Sequence, residues 1–272
     1  MTVQRDVLGR RTLLASGAAG VAAVLLASCS SSNEESTADE WSYDGPTRAD
    51  EWGKLVASCA DSASADESPI NIVTSSLVET PGVGTVVPKY QPATFELENN
   101  GHTIEAVPTD LTANSIEIDG TTYNLQQFHF HSTSEHTIDG WLADAEMHLV
   151  HKSDDGQTAV LGVLLLAGEA NVPLTELFNS IPTKETPEGK AAELQQQINP
   201  ADLLPAGSSA ARYEGSLTTP PCTDGVHWNV FLTPSNLSAE QLVAFRSAFT
   251  HNNRPVQPLH GRVVSQVAAI GA

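Results

Sequence analysis

Residues 115–131 read SIEIDGTTYNLQQFHFH. Apolar and polar residues alternate up to Asp119-Gly120, and the alternation resumes beyond it. A period of two marks a half-buried strand, and Asp-Gly between two such runs is a hairpin signal. The second run ends with Phe128 and Phe130 on one face and Gln127, His129 and His131 on the other. One face is built for packing; the other gathers imidazoles. The same pattern recurs outward in both directions, in ATFELENNGHTIEAV (93–107), in AEMHLVHKSDDGQTAVLGVLLLAG (145–168, turning at DDG) and in VHWNVFLT (226–233). Helical signals are few. The best is LSAEQLVAFRSAF (237–249), where Ser238 and Gln241 can form a capping box ahead of Leu242, Val243, Phe245 and Phe249. PLTELFNSI (173–181) and AAELQQQI (191–198) are shorter helix candidates. From Trp41 onward there is no linker and no internal repeat. The sequence therefore predicts one mainly β (α+β) domain with a few peripheral helices.

Of the 272 residues, 33 are acidic and 13 basic, a formal net charge of −20. Such a surface repels nucleic acid, so no nucleic-acid partner is expected. Hydrophobic residues make up 40% of the chain, ample for a packed core.

The N-terminus is a different kind of sequence. Arg5, Arg10 and Arg11 precede an apolar, Gly/Ala-rich stretch at 13–28, followed by Cys29. This is the layout of an export signal, and the arginine pair in GRRTLL resembles the twin-arginine type. The stretch is short for a spanning helix of roughly twenty residues. LASC, ending at Cys29, is similar to a bacterial lipobox, in which the chain is cut before the cysteine and the cysteine is lipidated. Residues 1–28 are thus expected to be an export signal peptide. After such a cut 10 basic and 32 acidic residues remain, a net of −22. Residues 29–40 lack apolar periodicity and read as a flexible tether. The expected location is the outer face of the cell membrane, held by a lipid anchor on Cys29; a soluble periplasmic or secreted protein is the alternative. With Cys29 so used, Cys59 and Cys222 are an even pair in an oxidising compartment, either a disulfide or two buried thiols.

The imidazole face acquires a third member in AEMHLVH, where Glu146, His148 and Val150 share one face of a strand and Met147, Leu149 and His151 the other. Three histidines with one open coordination position are the pattern of a catalytic zinc. Histidine ligands need an acceptor on their second nitrogen. Gln127 lies two residues before His129, and Glu146 two before His148, each on its ligand's own face.

At this point the chain resembles an α-class carbonic anhydrase of the bacterial exported type. The matching stretches run in order from Trp41 to about Val264: WSYDGP, ESPINI, NNGH, QFHFHSTSEHTIDG, AEMHLVH, AVLGVLL, YEGSLTTPPC, VHWNVF and NNRPVQPL. Glu67 departs from the family pattern, which has Gln before SPIN. The resemblance implies a 41–272 domain around a large twisted, mostly antiparallel central sheet. It implies Zn2+ on His129, His131 and His148, with Gln127, Glu146 and backbone near Asn252 as outer partners. By the same resemblance Thr218 accepts a hydrogen bond from zinc hydroxide and donates to Glu135, Thr219 touches product, and His102 shuttles protons. Val150, Val160, Leu217 and Trp228 match the apolar wall that holds carbon dioxide, and Cys59 and Cys222 match the disulfide of exported members. The implied activity is reversible hydration of carbon dioxide to bicarbonate, with secondary ester hydrolysis compatible with the same nucleophile.

His136 and His151 are read as structural hydrogen-bonders, while His227, His251 and His260 receive no role. Two other readings exist. In a cupin, His129, His131 and Glu135 would form an H-x-H-x₃-E metal motif with Glu135 as a ligand. A non-catalytic cell-surface binding protein could keep the same fold. The sequence does not set the oligomeric state.

Overall fold

The Asp119-Gly120 hairpin forms as its residues dictate. Ser115–Ile118 pairs antiparallel with Thr121–His131, with Ile118 opposite Thr121. Asp119 and Gly120 have φ of 50° and 84°, the backbone of a two-residue type I′ turn. The computed structural model describes residues 41–60, 66–79 and 84–268; the export signal, the tether and Cys29 lie outside these residues.

Thr121–His131 pairs antiparallel with Ala145–Ser153, and that strand with Thr158–Ala167. Among the described residues these strands lie within a twelve-stranded sheet. Beyond them the sheet continues through Asp224–Phe231 and Ala210–Ser216 to Ser265–Val267. On the other side it runs through Ile104–Pro108 and Phe95–Asn99. Most pairings are antiparallel, but Thr158–Ala167 pairs parallel with both Asp224–Phe231 and Ser235–Leu237. The sheet is therefore mixed.

Both faces are covered. Phe95, Phe128, Phe130, Met147, Leu149 and Leu161 join a core with Leu242 and Phe245 of the helix Ala239–Ala248. Burying each large side chain is worth roughly 1.5–3 kcal/mol. The helix starts with the expected Ser238/Gln241 capping box, although Val243 faces solvent. The opposite face carries Ile70, Ile72, Val160, Leu164, Tyr213 and Trp228. The pairing register slips by one residue between Leu125 and Gln127. As a result Tyr123 and Leu125 before the slip, and Phe128 and Phe130 after it, all enter the first core. His129 and His131 face the other way.

PLTELFNSI contains the short helix Thr175–Asn179, but AAELQQQI is not helical. Ala192–Glu193 forms an edge strand on Phe95–Asn99, and Leu194 N–H donates to the Phe95 carbonyl at 2.8 Å. Leu194 and Ile198 are buried in the first core. An unpaired sheet edge plus two core sites override a modest local helix preference.

Cys59 and Cys222 form a disulfide with Cα atoms 5.1 Å apart, closing a sequence separation of 163. It ties the Trp52 region to the loop after Ala210–Ser216. Cys59→Ser combined with Cys222→Ser is expected to lower unfolding free energy by about 2–5 kcal/mol. Denaturant titration of the oxidised protein against the double variant measures this.

Candidate metal centre

The strand register brings the histidines together. His129 stands directly opposite His148, and His131 opposite Glu146, across the Thr121–His131 and Ala145–Ser153 strands. Each ring is fixed from behind. His129 Nδ1 donates to Gln127 Oε1 at 2.8 Å, His131 Nδ1 to the Asn252 carbonyl at 2.7 Å, and His148 Nε2 to Glu146 Oε1 at 2.9 Å. Those acceptors set the tautomers. The nitrogens left over are Nε2 of His129 and His131 and Nδ1 of His148, and the three histidines can present ligand atoms within 4.8 Å of one another.

The electrostatics agree. Burial pushes all three histidines below their ordinary pKa, His131 to about 4, and His131 and His148 further depress His129. Neutral imidazoles keep a lone pair for a cation. His131 Nε2 is buried with no hydrogen-bond partner, a cost that a metal ion would remove. The residues present therefore fit zinc.

Glu146 is the hub behind the site. Oε2 accepts the N–H groups of Glu135 and His136 at 2.9 and 2.8 Å, and Oε1 accepts from both His148 and His136 Nδ1. Burial alone would raise this carboxyl, yet His136 and His148 hold it well below the usual carboxylate range. His136 Nε2 lies 2.6 Å from the Tyr213 hydroxyl, which is 2.9 Å from Ser68 Oγ. On the other core face, His151 Nε2 bonds the Tyr90 hydroxyl at 2.6 Å. Both histidines are thus structural bonders.

Glu135 Oε1 accepts the Arg254 N–H at 2.8 Å, and its Oε2 lies 3.5 Å from His131 Nε2. Burial pushes this carboxyl up to about 7 against the pulls of His148, the Arg254 N–H and the Thr218 hydroxyl. Thr218 sits in a loop closed by Leu217 N–H to the Thr223 carbonyl (2.9 Å) and Cys222 N–H to the Thr219 carbonyl (2.8 Å), with the disulfide at its end.

A cavity of about 410 Å³ opens over His129 and His148. Val150, Val160, Leu217 and Trp228 give it an apolar wall, with Thr218 and Thr219 at its side. A smaller cavity of about 110 Å³ joins His129 and His131 to His102. His102 also lines an outer cleft of about 360 Å³ and stacks on Trp41 with centroids 3.6 Å apart. The expected ligands, their outer partners, the cavity-wall residues and His102 therefore lie near one centre, while Cys59 and Cys222 sit apart with Trp52. Sequence reasoning missed the stacking by Trp41, the Arg254 N–H, the His136–Tyr213 link, and Glu105 in the small cavity. Trp41, His136, Tyr213 and Arg254 had a signal in their place in matched motifs, and Glu105 had none.

Comparisons with known proteins agree with this geometry. A family model described as eukaryotic-type carbonic anhydrase matches residues 47–268. A carbonic anhydrase of Klebsiella pneumoniae is 41% identical over 231 residues, covering 84% of this chain and 91% of that protein. The structure of an α-carbonic anhydrase from Thermovibrio ammonificans with the inhibitor sulfanilamide superposes with a TM-score of 0.77 at 37% identity. It covers 83% of this chain and 98% of that one. Dioscorin DB3L of Dioscorea polystachya is 33% identical over 250 residues, 88% of this chain and 90% of that protein.

Proposed function

The chain belongs to the α-class carbonic anhydrase family and is a carbonic anhydrase, and from that premise we propose how its residues divide the work of interconverting carbon dioxide and bicarbonate. Zinc is held by His129, His131 and His148, Thr218 and Glu135 aim the attacking oxygen, and His102 carries the proton. The observation that carries this reading is the convergence of three neutral histidines, each with its second nitrogen already committed. With family membership established, the cupin alternative falls away. Glu135, bonded to the Arg254 N–H, is assigned to Thr218 rather than to the metal.

Zinc, when bound, supplies a Lewis acid that lowers the pKa of a coordinated water to about 7, a value for which this family is itself the standard example. The dication also favours the ionised form of nearby Glu135. As a carboxylate Glu135 can only accept, so it accepts a hydrogen bond from the Thr218 hydroxyl and leaves Thr218 Oγ as an acceptor toward the substrate side. That fixes which lone pair faces the carbon and removes rotational freedom before reaction. Val150, Val160, Leu217 and Trp228 offer carbon dioxide an apolar surface without a competing hydrogen-bond donor. Thr219 lies where the product's oxygens leave.

His102 lines both the passage to the metal histidines and the outer cleft. An imidazole, with an ordinary pKa near 6.5, can pass a proton either way at neutral pH. His102→Ala is expected to lower kcat about ten- to a hundredfold in dilute buffer. kcat/KM should stay unchanged, and added imidazole should restore kcat. Stopped-flow hydration at two buffer concentrations decides it; a fall in kcat/KM with no rescue would remove His102 from the pathway.

The proposed location is the outer face of the cell membrane through lipid on Cys29, supported by the arginine pair, the apolar stretch and LASC. The function as a whole is tested by loading the purified protein with zinc and following carbon dioxide hydration. Stoichiometric zinc without hydration above buffer would favour a non-catalytic binding protein.

A further inference from the structure

The lining of the metal cavity is unlike the rest of the chain in charge. The chain carries 33 acidic residues against 13 basic ones. Yet among the described residues the cavity of about 410 Å³ is lined by no aspartate or glutamate, and Lys152 is its one charged side chain besides the histidines. The His102 side is the opposite. Glu105 lines the small passage there, and Asp44 and Glu185 line the outer cleft. Charge is thus sorted between the two approaches to the metal histidines.

Lys152 is placed by the strand that supplies His148. Glu146, His148, Val150 and Lys152 share one face of Ala145–Ser153. At about 3.3 Å per residue, Lys152 sits roughly 13 Å along the strand from His148. It is exposed at the cavity rim, directly opposite Thr158, which also lines the cavity. Among the described residues Lys54, Lys89, Arg48, Arg212, Arg246, Arg254 and Arg262 each lie within 4.0 Å of a carboxylate oxygen. Lys152 is in no such pair. An ammonium without a carboxylate partner keeps its whole charge for a visiting anion.

We propose that Lys152, beside Thr158, forms an outer station for small anions at the cavity mouth, drawing bicarbonate toward the metal histidines and receiving it as it leaves. This rests on the reading of the cavity as the place where carbon dioxide and bicarbonate interconvert. A net charge of −20 repels an anion at long range. Apolar walls such as Val150 and Val160 concentrate the field of the one cation at the rim. The Thr158 hydroxyl adds a hydrogen-bond donor next to it. The acidic residues on the His102 side suit the other product, a proton carried off by a cationic buffer. The two products of hydration therefore leave by routes of opposite charge.

The test is anion affinity, read without turnover. Cobalt(II) replaces zinc in the wild-type protein and in Lys152→Gln, Lys152→Arg and Lys190→Gln. Sodium azide, a monovalent anion like bicarbonate, is titrated against the visible absorption of the cobalt at ~0.01 M ionic strength, where screening is weak. Lys190 precedes the edge strand Ala192–Glu193, which two strands separate from Thr121–His131. Its replacement removes the same net charge away from the cavity. Lys152→Gln is expected to raise the azide dissociation constant about threefold, the effect of a unit charge roughly 10 Å away in a medium between protein and water. Lys152→Arg and Lys190→Gln should keep the wild-type value. At ~0.5 M ionic strength, where the Debye length falls to about 4 Å, the difference should close. Equal affinities of Lys152→Gln and wild type at low salt, an equal loss in Lys190→Gln, or a loss that salt does not close overturns the proposal. If azide leaves the wild-type cobalt spectrum unchanged, the reading of the metal centre fails and the station falls with it. A wild-type response without the Lys152 difference removes the station alone.

Discussion

His148→Ala is expected to yield a folded protein that holds almost no zinc and hydrates carbon dioxide no faster than buffer. His129 and His131 come from a single strand, two residues apart. His148 is the one ligand that closes the site from the neighbouring strand, directly opposite His129. Without it two nitrogens remain, too few for a catalytic zinc site. The loss in zinc affinity should far exceed the roughly 10–100-fold that removing an outer partner costs. The fold should survive, because Glu146 keeps His136 and the N–H groups of Glu135 and His136. Elemental analysis after dialysis, a thermal melt and stopped-flow hydration check the three parts separately. Retention of stoichiometric zinc would show that the metal sits elsewhere.

Thr218→Val is expected to do the reverse: about one zinc stays bound and chemistry is lost. Valine matches threonine in shape, so the loop closed at Leu217–Thr223 and by Cys222 has no reason to move. What goes is one hydroxyl that both donates and accepts. Removing a single preorganised group of this kind costs about 10²–10³ in rate, or roughly 2.7–4 kcal/mol. The loss should appear in kcat/KM, whereas proton transfer through His102 follows a separate route. A variant within twofold of wild type would leave Glu135 and Thr218 as structural neighbours and no more.

Much of the fold and the metal centre was legible in the sequence because the relevant physics is local. Alternation at period two sets which face His129, His131 and His148 share, and Asp-Gly sets the hairpin. Gln127 and Glu146 sit two residues from their ligands, within one strand. Other features depend on pairings the chain makes only once folded. AAELQQQI reads as a helix because its strand character is imposed by the edge at Phe95 and by burial of Leu194 and Ile198. The grip on Glu135 is a backbone N–H, which any residue type at 254 other than proline could supply, so nothing in the letters announces it. Trp41 over His102 is likewise a contact between distant segments. Glu67 was visible as a departure, but its ion-pair partner, Arg254, lies 187 residues further along the chain.

The register slip at Leu125–Gln127 gives the long strand something like a reading frame. Ahead of the slip the odd-numbered residues Tyr123 and Leu125 are inward; behind it the even-numbered Phe128 and Phe130 are. A residue inserted between them without a further bulge would exchange the two lanes, sending phenylalanines into the cavity and imidazoles into the core. The aim of the metal ligands therefore depends on how many residues precede them as much as on which residues they are. Deleting Gln126, the extra residue at the slip, would instead leave Leu125, Gln127 and Phe128 in plain alternation against the same partners.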